Sequence, residues 1–123
     1  MSYEFYKIMH LLGIALLLSG LVALVILKVT GVAIEGTVKK FAFITHGVGL
    51  VLILVSGFGL LAKLQLMADF PKWAFIKLAI WLFMGGVATL IKKKGHMAWQ
   101  LYTIIICVFL IAAYVGITKP FTV

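Results

Sequence analysis

PKWAFIKLAIWLFMGGVATLIKKK, residues Pro71–Lys94, joins a long apolar run to a single cation inside it. Between Trp73 and Ile91 every residue other than Lys77 is apolar, Gly or Thr. At about 1.5 Å per helical residue, such a run is long enough to cross the ~30 Å hydrocarbon layer of a bilayer. Lys77 then enters the membrane with it. A lysine at the bilayer centre costs roughly 2.5–3.5 kcal/mol on insertion scales, so an ionisable residue there points to function unless its charge escapes. Lys77 lies one turn inside Trp73, and its stem is also long enough to snorkel back to the headgroups with no chemical role. Both readings stand, and which holds depends on the residues that can reach it.

The rest of the chain has the same character. Of its 123 residues, 65% are hydrophobic and only 11% charged, and the mean hydropathy is +1.26. A soluble domain of this size has no use for so much apolar surface, so the composition predicts an integral membrane protein. Eleven Lys against Glu4, Glu35 and Asp69 leave a net charge of +8. Most of these Lys stand between apolar runs and not along one exposed face, which implies a bilayer with anionic headgroups as partner and no nucleic acid. There is no Arg, so bidentate recognition of carboxylate or phosphate is absent and lysine acts as a point charge. Cys107 is single, which excludes a disulfide within the chain; inside an apolar run it reads as a small apolar side chain.

Three further apolar runs flank this one: 8–27, opened by Lys7 and closed by Lys28; 41–62, ending at Lys63; and 97–117, followed by Lys119 and Pro120. With 73–91 they predict four transmembrane helices in one domain covering 1–123. The first run is too long for a signal peptide and lacks a small-residue cleavage site, so it reads as a retained helix. Val29–Lys40 and Gln65–Lys72 are polar connections, and Pro71 stands where a helix is about to start. Connections this short make successive helices antiparallel neighbours, which predicts an all-α, up-down-up-down four-helix bundle with both termini on one side.

Lysines set the expected orientation. Lys28, Lys39, Lys40, Lys92, Lys93 and Lys94 fall on the side of the first and third connections, against Lys7, Lys63, Lys72 and Lys119 on the other. By the positive-inside rule the first and third connections are cytoplasmic and the termini outside. Trp73, Trp99, Tyr3, Tyr6 and Phe41 near span ends fit interfacial belts.

Alternating helix direction sorts the polar residues by depth. His10 and Lys77 both lie toward the terminal side, whereas His46 lies toward the other, at the depth of Met84 and Tyr102. His10 and His46 are thus roughly 20 Å apart along the membrane normal, too far to bridge one iron. Gly13 and Gly20 share the face of His10, and Gly49, Ser56 and Gly57 that of His46. Small residues at these places admit a flat ligand or, more ordinarily, a neighbouring backbone. A neutral imidazole in hydrocarbon still needs a partner, which makes His10 and His46 the candidate metal ligands or proton carriers. His96, beside the lysine triplet, reads as a solvated loop residue. Two bis-His haems need four axial His and the chain has three, so a haem here would pair His with Met84 or another Met, with Lys, with water or with a second subunit.

Tyr6-Lys7 followed by His10, Gly20 ten residues on, and Trp73-Ala74-Phe75-Ile76-Lys77-Leu78 opening the third run resemble the HemJ-type protoporphyrinogen oxidases, small four-helix membrane proteins that bind b-type haem. Thr45-His46-Gly47 and Gly86–Lys92 are similar to the related SirB-type family. The resemblance implies haem b as cofactor, His10 as haem ligand or catalytic histidine, Lys77 as an essential lysine, and residence in a bacterial inner (cytoplasmic) membrane. The chain departs from the HemJ-type pattern at Phe75, where that family has a histidine, and late in the first run, where it has an arginine and this chain only Lys28. Gly49 replaces a SirB-type aspartate.

The expected function is that of a haem-binding or haem-related redox protein acting on a tetrapyrrole. His10 and Lys77 are its catalytic residues, His10, His46, Lys77 and Met84 its cofactor contacts, and His10 and His46 its metal ligands. For such a reaction His10 and a desolvated Lys77 would supply general-base capacity. The rival is a non-enzymatic accessory or structural subunit, a homo-oligomer or part of a larger membrane complex. A small multidrug-type transporter fits less well, because that chemistry wants a carboxylate inside the first span and Glu4 lies outside it.

Overall fold

The computed structural model describes residues 2–64 and 69–118. Helix α1 spans Tyr3–Val29, α2 Gly36–Lys63, α3 Lys72–Lys93 and α4 Ala98–Thr118, with a 3-10 turn, Gly95–Met97, before the last. There is no strand among the described residues, and all four helices are long and apolar enough to cross a membrane. Gln65, Lys119 and Pro120 lie outside the described residues.

The helices outrun their apolar stretches, since Lys and Glu at the flanks sustain a helix well. Ser2 caps α1 by accepting the Phe5 amide at 3.1 Å, and Glu4 sits in the first turn, where the helix dipole favours a carboxylate. After α1 the chain turns through Gly31 and enters α2 at Gly36, with φ of +77° and +65°. Both angles lie in the left-handed region that glycine adopts without a steric penalty.

Helices α1 and α2 pack along a seam that small residues make possible. Gly13 meets Ile53, Leu17 meets Gly49 and Gly20 meets His46. Each step of three or four along α1 is matched by an equal step back along α2, so the two run in opposite directions with the alternating spacing of a coiled coil. A Cβ on Gly20 would stand 2.7 Å from the Ala42 carbonyl oxygen, and one on Gly49 2.6 Å from the Gly13 carbonyl oxygen. No side chain fits there unless the helices part. These glycines receive a neighbouring backbone, the ordinary use of small residues in membrane helices.

Helices α1 and α3 each approach all three of the others, and α1 lies most extensively along α2, while the α2 and α4 backbones do not come close among the described residues. The main core joins Leu17, Leu21, Leu24 and Val25 of α1 to Met84, Val87, Ala88 and Ile91 of α3 and to Ala98, Leu101 and Ile105 of α4. A smaller cluster of Leu61, Trp73, Ala74 and Val115 closes the other end. Two side-chain bonds stitch α2 to α3, one from each helix: His46 to the Met84 carbonyl and Trp81 to the Leu50 carbonyl.

Candidate functional site

Along α3 and α4 the two apolar clusters leave a gap, and it is occupied by a cavity of about 110 Å³. His10, Lys77, Trp81 and Met84 line it, together with Ile53 of α2 and Phe109, Ala112 and Ala113 of α4. Lys77, Trp81 and Met84 reach the same space because steps of four and three keep them on one face of α3. Ala112 and Ala113 leave room where larger residues would have filled it.

His10 is held by α2. Its Nδ1 lies 3.0 Å from Ser56 Oγ, while the Ser56 hydroxyl turns back to its own helix and donates to the Leu52 carbonyl. With that proton engaged, Ser56 Oγ accepts, so the proton of a neutral His10 belongs on Nδ1 and Nε2 is the ring's acceptor. Lys77 lines the same cavity as the imidazole. The lysine stem also reaches α4: a Cβ on Gly116 would lie 3.1 Å from Lys77 Nζ. The arrangement combines an acceptor nitrogen and a cationic donor in apolar surroundings.

His46 has a different place. It is buried, 4% exposed, and its Nε2 donates to the Met84 carbonyl oxygen at 2.9 Å. It packs on Gly20, ten residues from His10 along α1, or roughly 15 Å of helical rise. The structure therefore brings His10, Lys77 and Met84 to one cavity and leaves His46 outside its lining, and the two histidines do not share a metal position. No group of three or more His, Cys, Asp or Glu among the described residues is arranged to hold a metal ion. Tyr102 packs against the main core, and His96 is exposed in the 3-10 turn.

Two members of the site escaped the sequence reading. Trp81 was legible in principle, being four residues beyond Lys77. The pairing of Ser56 with His10 was not, since Ser56 stood out only as a neighbour of His46 on the same helix face.

For a tetrapyrrole, the donor types agree: an imidazole with an available Nε2 and an ammonium for a carboxylate side chain. The cavity takes only part of such a molecule, because pockets for drug-sized ligands run from about 300 to 1,000 Å³. No protein-family model matches the chain, and no curated protein or solved structure matches it either.

Proposed function

We propose that the chain is an integral membrane protein, an up-down-up-down four-helix bundle of a bacterial inner membrane, that binds the polar edge of a lipid-soluble redox ligand at His10 and Lys77. The observation that carries this reading is the approach of the two groups within one largely apolar cavity, with His10 oriented by Ser56. Such a pair, placed in hydrocarbon, is costly and favours a functional explanation. Phe41, Ile44, Val48, Val51 and Val55 of α2 and Leu110, Ile111, Tyr114 and Ile117 of α4 are exposed, a surface suited to lipid chains. The lysine distribution favours first and third connections in the cytoplasm and termini outside.

Nε2 of His10 accepts a proton or hydrogen bond from the ligand, and the Lys77 ammonium donates to its carboxylate or carbonyl. Together they hold a proton beside the ligand in a place with little water. The HemJ-type and SirB-type resemblance of the residues around His10, His46 and Lys77 makes a tetrapyrrole the favoured ligand class, with its carboxylate edge in the cavity. Haem, if bound, would supply one-electron redox chemistry at this place.

The test is spectroscopic. Protein purified in mild detergent from haem-replete cells should show a Soret band with b-type features on reduction, lost in His10→Ala and kept in His46→Ala. A colourless preparation after haem supplementation rejects the tetrapyrrole. The broad exposed faces of α2 and α4 would then favour the accessory-subunit reading, in which those faces meet other membrane helices.

A further inference from the structure

Contacts between neighbouring helices wall the His10 cavity on most sides. Between α1 and α2, Gly13 meets Ile53 and the Tyr6 ring lies on Gly59. Between α2 and α3, the Trp81 indole donates to the Leu50 carbonyl at 3.0 Å. Toward the termini, Leu61, Trp73, Ala74 and Val115 join α2, α3 and α4 in a cluster that contains no residue of α1.

The side between α1 and α4 differs along its length. Toward the first and third connections it is closed, because Leu21, Leu24 and Val25 share a core with Ala98, Leu101 and Ile105. Seven residues make nearly two helical turns, so Val25, Leu18 and Leu11 follow one another along a single face of α1. Val25 is 4% exposed and Leu11 65%; Leu18, between them, is half-buried and lines the cavity. A face covered at one end and bare at the other loses its neighbour along the way, so α4 parts from α1 toward the termini. Where they part, α4 lines the cavity with Ala112 and Ala113, and Ile111 and Tyr114 beside them are exposed. At this depth in a bilayer, such a gap opens on hydrocarbon and not on water.

We propose that the gap between α1 and α4 is the entrance by which a ligand reaches His10 and Lys77 from the bilayer, and that Ala112 and Ala113 set what can pass. This rests on the reading of the cavity as a ligand site, and it adds the class of molecule. The ligand is an amphiphile whose carboxylate or carbonyl end enters first, while its apolar remainder stays in the gap against Leu11 and the lipid chains. A cavity of about 110 Å³ holds such an end and not a whole drug-sized molecule, which needs about 300 to 1,000 Å³. A leucine in place of either alanine would fill the passage.

The experiment uses the full chain carrying Trp99→Phe, in phosphatidylcholine bilayers with and without bromine on the acyl chains, since bromine quenches an indole only at close range. Trp99, 65% exposed, would otherwise dominate the signal. Trp81, which lines the cavity, should be quenched. Ala113→Leu should lose most of that quenching, and Ala79→Leu, the same change at an exposed position of α3, should keep it. If Ala113→Leu does not fold, Ala112→Val makes the same comparison. Haem added to the detergent-solubilised protein gives a second readout: a Soret band should form in Ala79→Leu and fail to form in Ala113→Leu. The expected quenching pattern with no Soret band in any variant upholds the entrance and rejects the tetrapyrrole alone. Absent quenching, quenching undiminished by Ala113→Leu, or a Soret band that forms equally in both variants would overturn the entrance.

Discussion

Gly20 of α1 and His46 of α2 pack so closely that a Cβ on the glycine would lie 2.8 Å from the Cβ of the histidine. Gly20→Ala must therefore push α1 from α2 or displace His46 from its bond to Met84. Overpacking of this kind costs about 1–3 kcal/mol. Gly86→Ala is the control, because nothing lies within 4 Å of its added Cβ and alanine is the better helix former. Thermal melts in detergent should show Gly20→Ala lowered and Gly86→Ala unchanged or raised. Equal behaviour would mean that the seam is loose.

His10 and His46 should separate under mutation. His46→Ala empties the space of a buried imidazole and removes its bond to the Met84 carbonyl, which should cost roughly 2–5 kcal/mol of stability with ligand binding retained. His10→Ala breaks a bond to a hydroxyl that keeps its own helix partner, so its stability cost should be smaller, about 0.5–1.5 kcal/mol, while ligand binding is lost. Melting curves and ligand titrations on both variants decide it, and the opposite pattern would exchange their roles.

At Lys77 the functional and anchoring readings differ in sign. Lys77→Met removes a desolvation cost, so if the lysine merely snorkels, the melting temperature should stay level or rise with no other effect. If it holds a ligand carboxylate, affinity should fall by roughly 1–3 kcal/mol in the same protein. We expect the second result. Unchanged affinity would leave α3 as a membrane helix with an anchoring lysine.

Orientation rests on six lysines against four. A reporter fused after Val123 should therefore behave as periplasmic, read by alkaline phosphatase activity against a cytoplasmic fluorescent fusion. Fluorescence without phosphatase activity would invert the bundle.

Four helices, their approximate extents and the shared depth of His10 and Lys77 were legible in the sequence. Hydropathy adds up locally and helical rise is constant, so length and composition determine where a helix can span and how deep a residue lies. Lys77 was visible for the same reason, as the one charge inside an apolar run. What each helix turns toward its neighbours was decided only by tertiary packing. These helices are apolar nearly all round, so no polar stripe marks an inner face. The seam of Gly13, Gly20 and Gly49 set how closely and in which register α1 and α2 meet. That register carried Ser56 to His10, and the His46 bond to Met84 turned the second histidine away from the cavity. Rotation about a helix axis depends on long-range contact between side chains far apart in the chain, which no local pattern records.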